Sequence, residues 1–438
     1  MKPLLIYGGR IIDPSQGIDE TGSLLISDNK ISWLGKGEIT SPRQNYNVLH
    51  AQGLIICPGF IDLHCHLRQP GFEDKETIAT GTLAAARGGF TTICCMPNTN
   101  PPLDSQAMID YVKSKATAEG VVRVLPIGCI SKGRKGEELA PMGELAAAGV
   151  IGFSDDGEPA INSHLMRQAL DYSRAFGLPI IDHCEDIVLT EDGQMNEGII
   201  STRLGLRGIP NAAEEIIVAR DLALAQLTRG RLHIAHTSTE GSVDLIRRAK
   251  EKGVQVTAEV TPHHLTLTEE TIMGYDTNAK VNPPLRTKRD IQALIQGLKE
   301  NVIDIIATDH APHTEADKLC EFASAPFGIS GFETALGSLM SLVHDVQLTL
   351  TTLISKLTYE PAKLIGDKYG RLGTLAIGAL ADVTLFDPNM DWVVDTKAFA
   401  SKGKNTPLAG SVLKGKVMAT ISQGKLVYKD DSITVKES

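Results

Sequence analysis

The central part of the chain alternates short apolar runs with longer helix-like segments, and this rhythm constrains the fold more than any other feature. Eight runs follow one another between residues 54 and 310: LIICPGFIDLHCH, FTTICCMPN, VVRVLPIG, VIGFSDD, PIIDHCE, RLHIAH, VQVTAEV and VIDIIATDH. Nearly continuous apolar strands separated by helices are typical of a parallel sheet covered on both faces. Eight such units predict a closed (β/α)8 barrel rather than an open doubly wound sheet. No GxGxxG follows an early strand, which also disfavours a dinucleotide-binding fold.

Shorter β-like runs occupy the two ends of the chain. Residues 2–57 contain LLIYGGRII, GSLLISDN and KISWLG, and a similar texture returns near the C-terminus in ADVTLFD, WVVD, KVMATISQG and KLVYKD. Two β-rich ends of one chain can fold together into a single accessory domain. We therefore predict an α/β protein in which residues 56–369 form a TIM-type barrel and residues 1–55 plus 370–438 form a small β-sandwich domain.

Polar side chains stand where several of the predicted barrel strands end, which is where such barrels carry their catalytic groups. Each alone has an ordinary explanation, since a carboxylate there often caps the next helix and a buried histidine is often a core residue. Together they offer imidazole and carboxylate ligands for two metal ions bridged by a carboxylate. They are His64 and His66 on strand one, Asp155 and Asp156 on strand four, and His183, His236 and Asp309 on strands five, six and eight.

Several motifs resemble those of a known enzyme family. The HxH pair and the later histidines and aspartate are similar to the amidohydrolase superfamily. Within it, DLHCHLRQP and ATDHAPHTEADK resemble the two dihydroorotase signatures. MPNTNPP, FSDDG, HCED, TPHHL, KVNPPLR and PFGISGFE resemble stretches of the long bacterial, class I dihydroorotases. The resemblance extends over essentially the whole chain.

The resemblance implies a set of metal ligands for zinc, as one ion or two. These ligands are His64, His66, Asp156, His183, His236 and Asp309. Much of the superfamily bridges two metals with a carboxylated lysine from strand four, but VIGFSDDG contains no lysine. The long bacterial branch implies an aspartate bridge instead, and the DDG motif assigns it to Asp156. Strand alternation separates Asp155 from Asp156 without saying which of them points inward.

The resemblance also implies a reaction, the reversible hydrolysis of (S)-dihydroorotate to N-carbamoyl-L-aspartate. Ring closure is the third step of de novo UMP biosynthesis. Metals would lower the pKa of water toward ~7 and polarise the ring amide, while Asp309 would serve as general base and acid. Arg68 could offer the substrate carboxylate a bidentate fork. The implied substrate contacts are His66, Arg68, Asn98, Asn282, His313 and the backbone of Phe327 and Gly328.

Two other functions compete with this one. A dihydropyrimidinase, hydantoinase or allantoinase would act on cyclic amides without the ring carboxylate, so the cluster of Arg68, Asn98 and His313 favours dihydroorotate. A non-catalytic scaffold for aspartate transcarbamoylase would not need the ligands, all of which are present. His263 and His264 are predicted to be supporting or structural, and residues 315–325 to be either a mobile flap or a helix-capping loop.

Composition bears on partners and location. The net charge of −10 argues against nucleic acid or an anionic membrane as partner. No window of about 18 residues is apolar and uncharged, so no membrane span is predicted, and the N-terminal apolar stretch is too short for a signal peptide. Seven irregularly placed cysteines do not indicate a disulfide framework. We predict a cytoplasmic enzyme, homodimeric by analogy with similar barrels, that could also assemble with aspartate transcarbamoylase.

Overall fold

The computed structural model describes residues 2–36 and 46–437. Residues 1, 37–45 and 438 fall in the predicted accessory domain and lie outside the described residues, as does the side chain of residue 437. The strands are β1 Leu4–Asp13, β2 Ile18–Ser27, β3 Lys30–Gly35, β4 Asn47–His50, β5 Ile55–Pro58, β6 Phe60–Cys65, β7 Phe90–Cys95, β8 Arg123–Pro126, β9 Ile180–Asp182, β10 Met195–Asn196, β11 Gly208–Ile209, β12 Leu232–Ile234, β13 Val256–Val260, β14 Ile305–Ile306, β15 Val383–Val393, β16 Val412–Ser422, β17 Lys425–Lys429 and β18 Val435–Glu437.

The α-helices lie mainly between the barrel strands and after the last of them. They are α1 Ile78–Arg87, α2 Gln106–Glu119, α3 Met142–Ala148, α4 Ser163–Ser173, α5 Ile187–Thr190, α6 Ile199–Leu204, α7 Asn211–Thr228, α8 Glu240–Glu251, α9 Pro262–Thr266, α10 Lys288–Lys299, α11 Glu315–Lys318, α12 Ala335–His344, α13 Leu350–Leu357 and α14 Tyr359–Ile365. Several begin with a side-chain cap; Thr77 and Thr287, for example, form capping boxes at α1 and α10.

The central strands close into a parallel ring. β6, β7 and β8 form one run of neighbours, and β9, β12, β13 and β14 form another. The fourth strand is short and joins the two runs through parallel bridges from Phe153 to Gly128 and to Ile180. A parallel bridge between Cys65 and His310 closes the ring. The predicted (β/α)8 barrel is therefore confirmed.

A β-bulge in β6 decides which side chains face the barrel mouth. Ile61 and Leu63 pack inside the barrel, so strict alternation would send residue 65 inward as well. The pairing register with β7 shifts between Asp62 and Cys65, and Cys65 packs in the outer core instead. A bulge re-aims the residues that follow it. This one lets the inward-facing positions pass from Leu63 to the histidines of the HxH motif.

The ends of the chain form a β unit packed beside the barrel. Its nine strands are connected by hydrogen bonds, with β17, β16, β15, β5, β1, β2 and β3 in that order and β4 joining β1 to β18. β1 pairs with β4 through Leu4–Tyr7 and with β5 through Arg10–Ile11, and its register with β2 shifts between Ile6 and Gly9. A strand that changes partner at a bulge turns a corner in a sheet. An apolar cluster that includes Ile6, Ile56 and Ile421 fills this unit.

The boundary between the two units stays a prediction. We propose residues 1–55 plus 370–438 for the accessory domain and 56–369 for the barrel, although β5 pairs with β1 and β15, so that residues 56–58 extend the accessory sheet past this boundary. Within the described residues, none of the helices has the length and apolar character that crossing a bilayer requires.

Gly89 offers a test of the junction between the two units. It has φ +89°, and a Cβ there would lie 2.8 Å from both Phe60 and Thr384. Gly89→Ala should destabilise the protein by about 1 kcal/mol for the left-handed backbone plus about 1–3 kcal/mol for overpacking. Gly177→Ala is the matched control, because φ is +67° but open space surrounds the new methyl group. Thermal unfolding should show the larger loss for Gly89→Ala, and equal losses would contradict tight packing at this junction.

Candidate active site

A cavity of about 350 Å³ opens at the carboxyl ends of the barrel strands. Its wall brings together nearly all of the predicted site residues, although they are far apart in the sequence. These are His66, Arg68, Asn98, Asp156, His183, His236, Asn282, Asp309, His313, Phe327 and Gly328. The remaining one, His64, is fully buried beneath this wall.

The carboxylate of Asp156 lies at the centre of four histidines. Its Oδ1 is 3.4 Å from His64 Nε2 and 3.7 Å from both His183 Nδ1 and His236 Nε2. Its Oδ2 is 3.5 Å from His66 Nε2. The two oxygens of this carboxylate therefore face different histidines.

Asp309 completes a second group of donors beside the first. Its Oδ1 is 3.0 Å from His66 Nε2 and 3.5 Å from His64 Nε2. One ligand atom from each of His64, His66 and Asp309 lies within 4.8 Å of the others, and the same holds for His64, Asp156 and His236. The cavity therefore contains two overlapping groups of candidate metal ligands.

Unpaired buried atoms test whether a metal fits this cluster. His64 Nε2, Asp156 Oδ1 and His236 Nδ1 are buried without a hydrogen-bond partner among residues 2–36 and 46–437. Buried polar atoms rarely stay unpaired, because desolvation is then uncompensated. Imidazole nitrogen and carboxylate oxygen are ligands that zinc and similar divalent ions accept. The residues present thus fit a divalent transition metal.

The charges of the cluster also favour a cation. Burial raises the pKa of Asp309, but His64 and His66 lower it more, so the carboxylate is ionised. Burial lowers the pKa of His64, and the surrounding carboxylates Asp156, Glu259 and Asp309 outweigh that effect and raise it. Three carboxylates packed around one imidazole create a negative potential in which a divalent cation is stabilised.

Asp155 and Asp156 point in different directions. Asp155 Oδ1 accepts hydrogen bonds from the backbone of Ile130 and Ser131 at 2.9 and 3.1 Å, away from the histidines. Arg134 donates to the carbonyl oxygens of both aspartates at 3.2 and 2.7 Å. The geometry therefore aims Asp156, and not Asp155, into the cavity.

Glu259 is a supporting residue that the strand-end pattern missed. It lies on β13, fully buried, and its Oε1 is 2.7 Å from His64 Nδ1. Its Oε2 is 3.1 Å from His233 Nε2, so His233, for which the sequence showed no partner, also belongs to this network. A carboxylate on the second ring nitrogen fixes the orientation and tautomer of a ligand histidine. Here it leaves Nε2 of His64 facing Asp156.

Two further histidines are held in the same manner. His183 Nε2 is 3.0 Å from Glu185 Oε2, which also accepts from Asn282 Nδ2 at 2.9 Å. Burial raises the pKa of Glu185, but His183 and Asn282 bring it down to about 2. His66 Nδ1 is 2.9 Å from Asn98 Oδ1. Glu185 was not predicted, although its place two residues after His183 in HCED was visible in the sequence.

Arg68 brings a cation to the cavity wall without a carboxylate partner. Its Nε donates to the carbonyl oxygen of Pro312 at 3.2 Å, and its Nη2 lies 3.4 Å from His313 Nε2. Its guanidinium makes no ion pair with any carboxylate in the described parts of the chain. Burial lowers the pKa of Arg68 to about 10, although Asp309 and Asp156 act in the opposite direction. A largely buried guanidinium without a counter-ion is suited to an anionic ligand.

The loop at Phe327 and Gly328 closes the cavity on the side of His313. His313 Nε2 donates to the carbonyl oxygen of Phe327 at 2.8 Å. Gly328 has φ +142°, and a Cβ there would lie 2.7 Å from the carbonyl oxygen of Ala311 and 3.0 Å from His313 Nε2. Only glycine lets the two loops approach this closely.

The other candidates have structural places. His264 is held between Thr261 Oγ1 and the carbonyl oxygen of Pro283, and His263 is buried beside it outside the cavity wall.

Residues 315–325 begin with α11, and two buried lysines hold this segment through hydrogen bonds. Lys280 donates to the carbonyl oxygens of Phe322 and Ala323, and Lys318 donates to those of Thr277 and Pro326. Between the two interpretations of this segment, the contacts favour an ordered loop that begins in a capped helix.

Two solved structures share this architecture. One is a dihydropyrimidinase from Brevibacillus agri, with a TM-score of 0.85, and the other is an L-hydantoinase (dihydropyrimidinase) from Arthrobacter aurescens, with a TM-score of 0.86. Each is 23% identical to this chain, and the alignments cover 99% and 100% of it and 96% and 98% of those chains. The chain therefore shares the fold of these structures, a barrel with an attached β unit.

Sequence comparison identifies the family of this chain. A family model described as Dihydro-orotase-like matches residues 53–242. A curated protein named dihydroorotase from Thermoanaerobacter sp. is 51% identical to this chain, and the alignment covers 99% of the chain and 99% of that relative. Another, from Pelotomaculum thermopropionicum, is 52% identical, and the alignment covers 98% of the chain and 99% of the relative. The chain belongs to the dihydroorotase family, and the resemblance seen in its motifs is confirmed.

Because Glu259 orients the ring of His64, we predict that removing its charge weakens metal binding. Glu259→Gln removes the charge that orients the ring, and loss of such a partner weakens metal affinity by about 10–100-fold. Glu214→Gln is the matched control, because Glu214 is also a buried carboxylate but accepts from Ser238 and Thr239 instead. The measurement is the zinc dissociation constant by chelator competition on folded protein. Equal constants for the two variants would show that Glu259 does not support the metal site.

Proposed function

We propose that this protein catalyses the dihydroorotase reaction, the reversible hydrolysis of (S)-dihydroorotate to N-carbamoyl-L-aspartate. In the cell the ring-closing direction would supply the third step of UMP biosynthesis. Family membership over nearly the whole chain supports this proposal. The observation that carries it is Arg68, which makes no ion pair with any described carboxylate and lies in the wall of a cavity beside two groups of candidate metal ligands.

The proposed cofactor is Zn²⁺, as one ion or two. His64, His66 and Asp309 would hold one ion, His183 and His236 the other, and Asp156 would stand between them in place of a carboxylated lysine. A divalent metal bound there would lower the pKa of water toward ~7 and polarise the ring amide carbonyl. Two carboxylates support this arrangement, because Glu259 contacts Nδ1 of His64 and Glu185 contacts Nε2 of His183.

Asp309 is the proposed general base and acid. Its carboxylate is ionised and lies in the cavity wall, 3.0 Å from His66 Nε2 and 3.5 Å from His64 Nε2, where it would reach a water held at the metal ligands. In hydrolysis it would take the proton of that water as the oxygen attacks the ring amide carbon. It would then return the proton to the ring nitrogen when the carbon–nitrogen bond breaks. Ring closure follows the same proton path in reverse.

The substrate carboxylate is assigned to the Arg68 side of the cavity. Arg68 would offer two N–H groups to it, with Asn98 and His313 beside it and His66 between the carboxylate and the reacting centre. Asn282 and the backbone of Phe327 and Gly328 would contact the ring edge. Their common place in the wall of one cavity supports this assignment.

A second candidate is a cyclic amidase acting on rings without the carboxylate, in keeping with the fold of the dihydropyrimidinase and hydantoinase structures. Such substrates would leave Arg68 without a counter-ion, so we favour dihydroorotate. A catalytically inactive scaffold is disfavoured because all six predicted ligands face one another.

We also propose a cytoplasmic homodimer, which could associate with aspartate transcarbamoylase. Apolar side chains that remain exposed on α5 and α6, among them Val188 and Ile199, support contact with a second copy.

Substrate selectivity tests the role of Arg68. Metal-loaded protein should convert dihydroorotate and carbamoyl-aspartate, with little turnover of dihydrouracil. Arg68→Ala should lower kcat/KM for dihydroorotate by about a hundredfold, as expected for a lost charged contact of about 2.7 kcal/mol, and should leave dihydrouracil turnover unchanged. Preferred turnover of dihydrouracil by the unmodified enzyme would point to the second candidate, and no turnover of either would point to the scaffold.

Metal removal tests the centre itself. Chelation should abolish turnover, and added Zn²⁺ should restore it. Asp156→Asn should lower the bound zinc measured by elemental analysis, because a neutral amide is a poorer bridge than a carboxylate. Full activity of metal-free protein would contradict the proposed chemistry.

A further inference from the structure

The segment between β15 and β16 leaves the accessory sheet and contacts the loops beside the cavity. We call residues 400–407, ASKGKNTP, the strap. Two buried carboxylates of the barrel hold its beginning. Glu333 accepts from the backbone of Ala400 at 2.9 Å, and Glu76 accepts from Ser401 Oγ at 2.5 Å and from the backbone of Lys402 at 3.3 Å.

The middle of the strap presses on the residue that anchors Arg68. A Cβ on Gly403 would lie 2.4 Å from Pro312 Cβ and 2.7 Å from Ser330 Oγ, so a larger side chain does not fit. The carbonyl oxygen of Pro312 accepts from Arg68 Nε at 3.2 Å. The strap is thus one residue removed from the guanidinium in the cavity wall.

Asn405 joins the two loops that carry the predicted substrate contacts. Its Oδ1 accepts from the backbone of His313 at 2.9 Å and from Ser330 Oγ at 2.8 Å. Its Nδ2 donates to the carbonyl oxygens of Ala311 at 3.1 Å and Gly328 at 2.9 Å. The side chain is 3% exposed and does not line the cavity. All four hydrogen bonds of this side chain therefore go to the loop of Ala311–His313 or to the loop of Phe327–Ser330.

We propose that Asn405 is a positioning residue for substrate recognition, which sets the spacing between the loop of Ala311–His313 and the loop of Phe327–Ser330. It acts through His313, Gly328 and the Arg68 anchor, and it does not touch the metal ligands. The proposal rests on the proposed function for the identity of the substrate. Because the spacing defines the pocket for the carboxylate and ring edge, its loss affects binding more than chemistry.

The test compares Asn405→Ala with Asn196→Ala in the full-length, zinc-loaded protein. Asn196 is equally buried and joins Glu269 and Arg286, away from the cavity wall. In Asn405→Ala, KM for dihydroorotate should rise about tenfold or more, since a misplacement of about 1 Å can cost up to about a hundredfold. kcat should fall by less than KM rises, and zinc content should stay unchanged. Asn196→Ala should change neither constant.

Hydrogen–deuterium exchange gives a readout that does not depend on turnover. Asn405→Ala should speed exchange in residues 311–313 and 327–330, and Asn196→Ala should not. If the unmodified protein turned over none of the substrates, the proposed function would fail, while these exchange rates would still decide whether Asn405 positions the loops. Unchanged exchange in Asn405→Ala, or equal KM changes in both variants, would overturn the proposal.

A second pair of variants addresses the case in which Asn405→Ala does not fold. Gly403→Ala places a methyl group against Pro312 and should raise KM through the Arg68 anchor. Gly274→Ala is its control, because open space surrounds that position. Equal KM values for these two variants would contradict a role for the strap in positioning.

Discussion

The burial of Asp156 and Asp309 among four imidazoles is the constraint on which the rest of the structure depends. Ionised carboxylates are costly to bury, and His64 Nε2 and Asp156 Oδ1 are buried without a hydrogen-bond partner in the described parts of the chain. A divalent cation relieves this cost, and the surrounding side chains are arranged so that its ligands cannot turn away. Glu259, Glu185 and Asn98 each occupy the second ring nitrogen of one histidine. These contacts fix the orientations of three candidate ligand histidines.

The barrel and most of the cavity wall could be predicted from the sequence because both depend on local pattern. Apolar runs identify the strands, and the polar residue that ends a strand points to the mouth of the barrel. The pattern fails where a side chain acts across strands: Glu259 lies within β13, and only the packed barrel brings it to His64 of β6. Periodicity alone would also have misplaced the HxH pair, because Ile61 and Leu63 face inward and a bulge restores the histidines.

The role of Asn405 could not be predicted from the sequence for a different reason. It lies in an irregular segment between two strands of the accessory sheet, and its partners precede it by many residues. Neither hydrophobic period nor metal-ligand spacing distinguishes such an asparagine from a turn residue. The same holds for Arg134, whose glycine-rich surroundings suggest only a surface loop although it holds the backbone of Asp155 and Asp156. Motifs identify groups that do chemistry more readily than groups that hold others in place.

The late position of the strap has a consequence for the newly made chain. All six candidate metal ligands have been synthesised once Asp309 is added, and the strands that carry them are then complete. The two loops beside the cavity stay unjoined until Asn405 follows, and the sheet that contains β1 and β5 lacks β15 and β16 until those strands are added. During translation the candidate metal ligands can therefore come together first, and the two loops are joined only after Asn405 has been added.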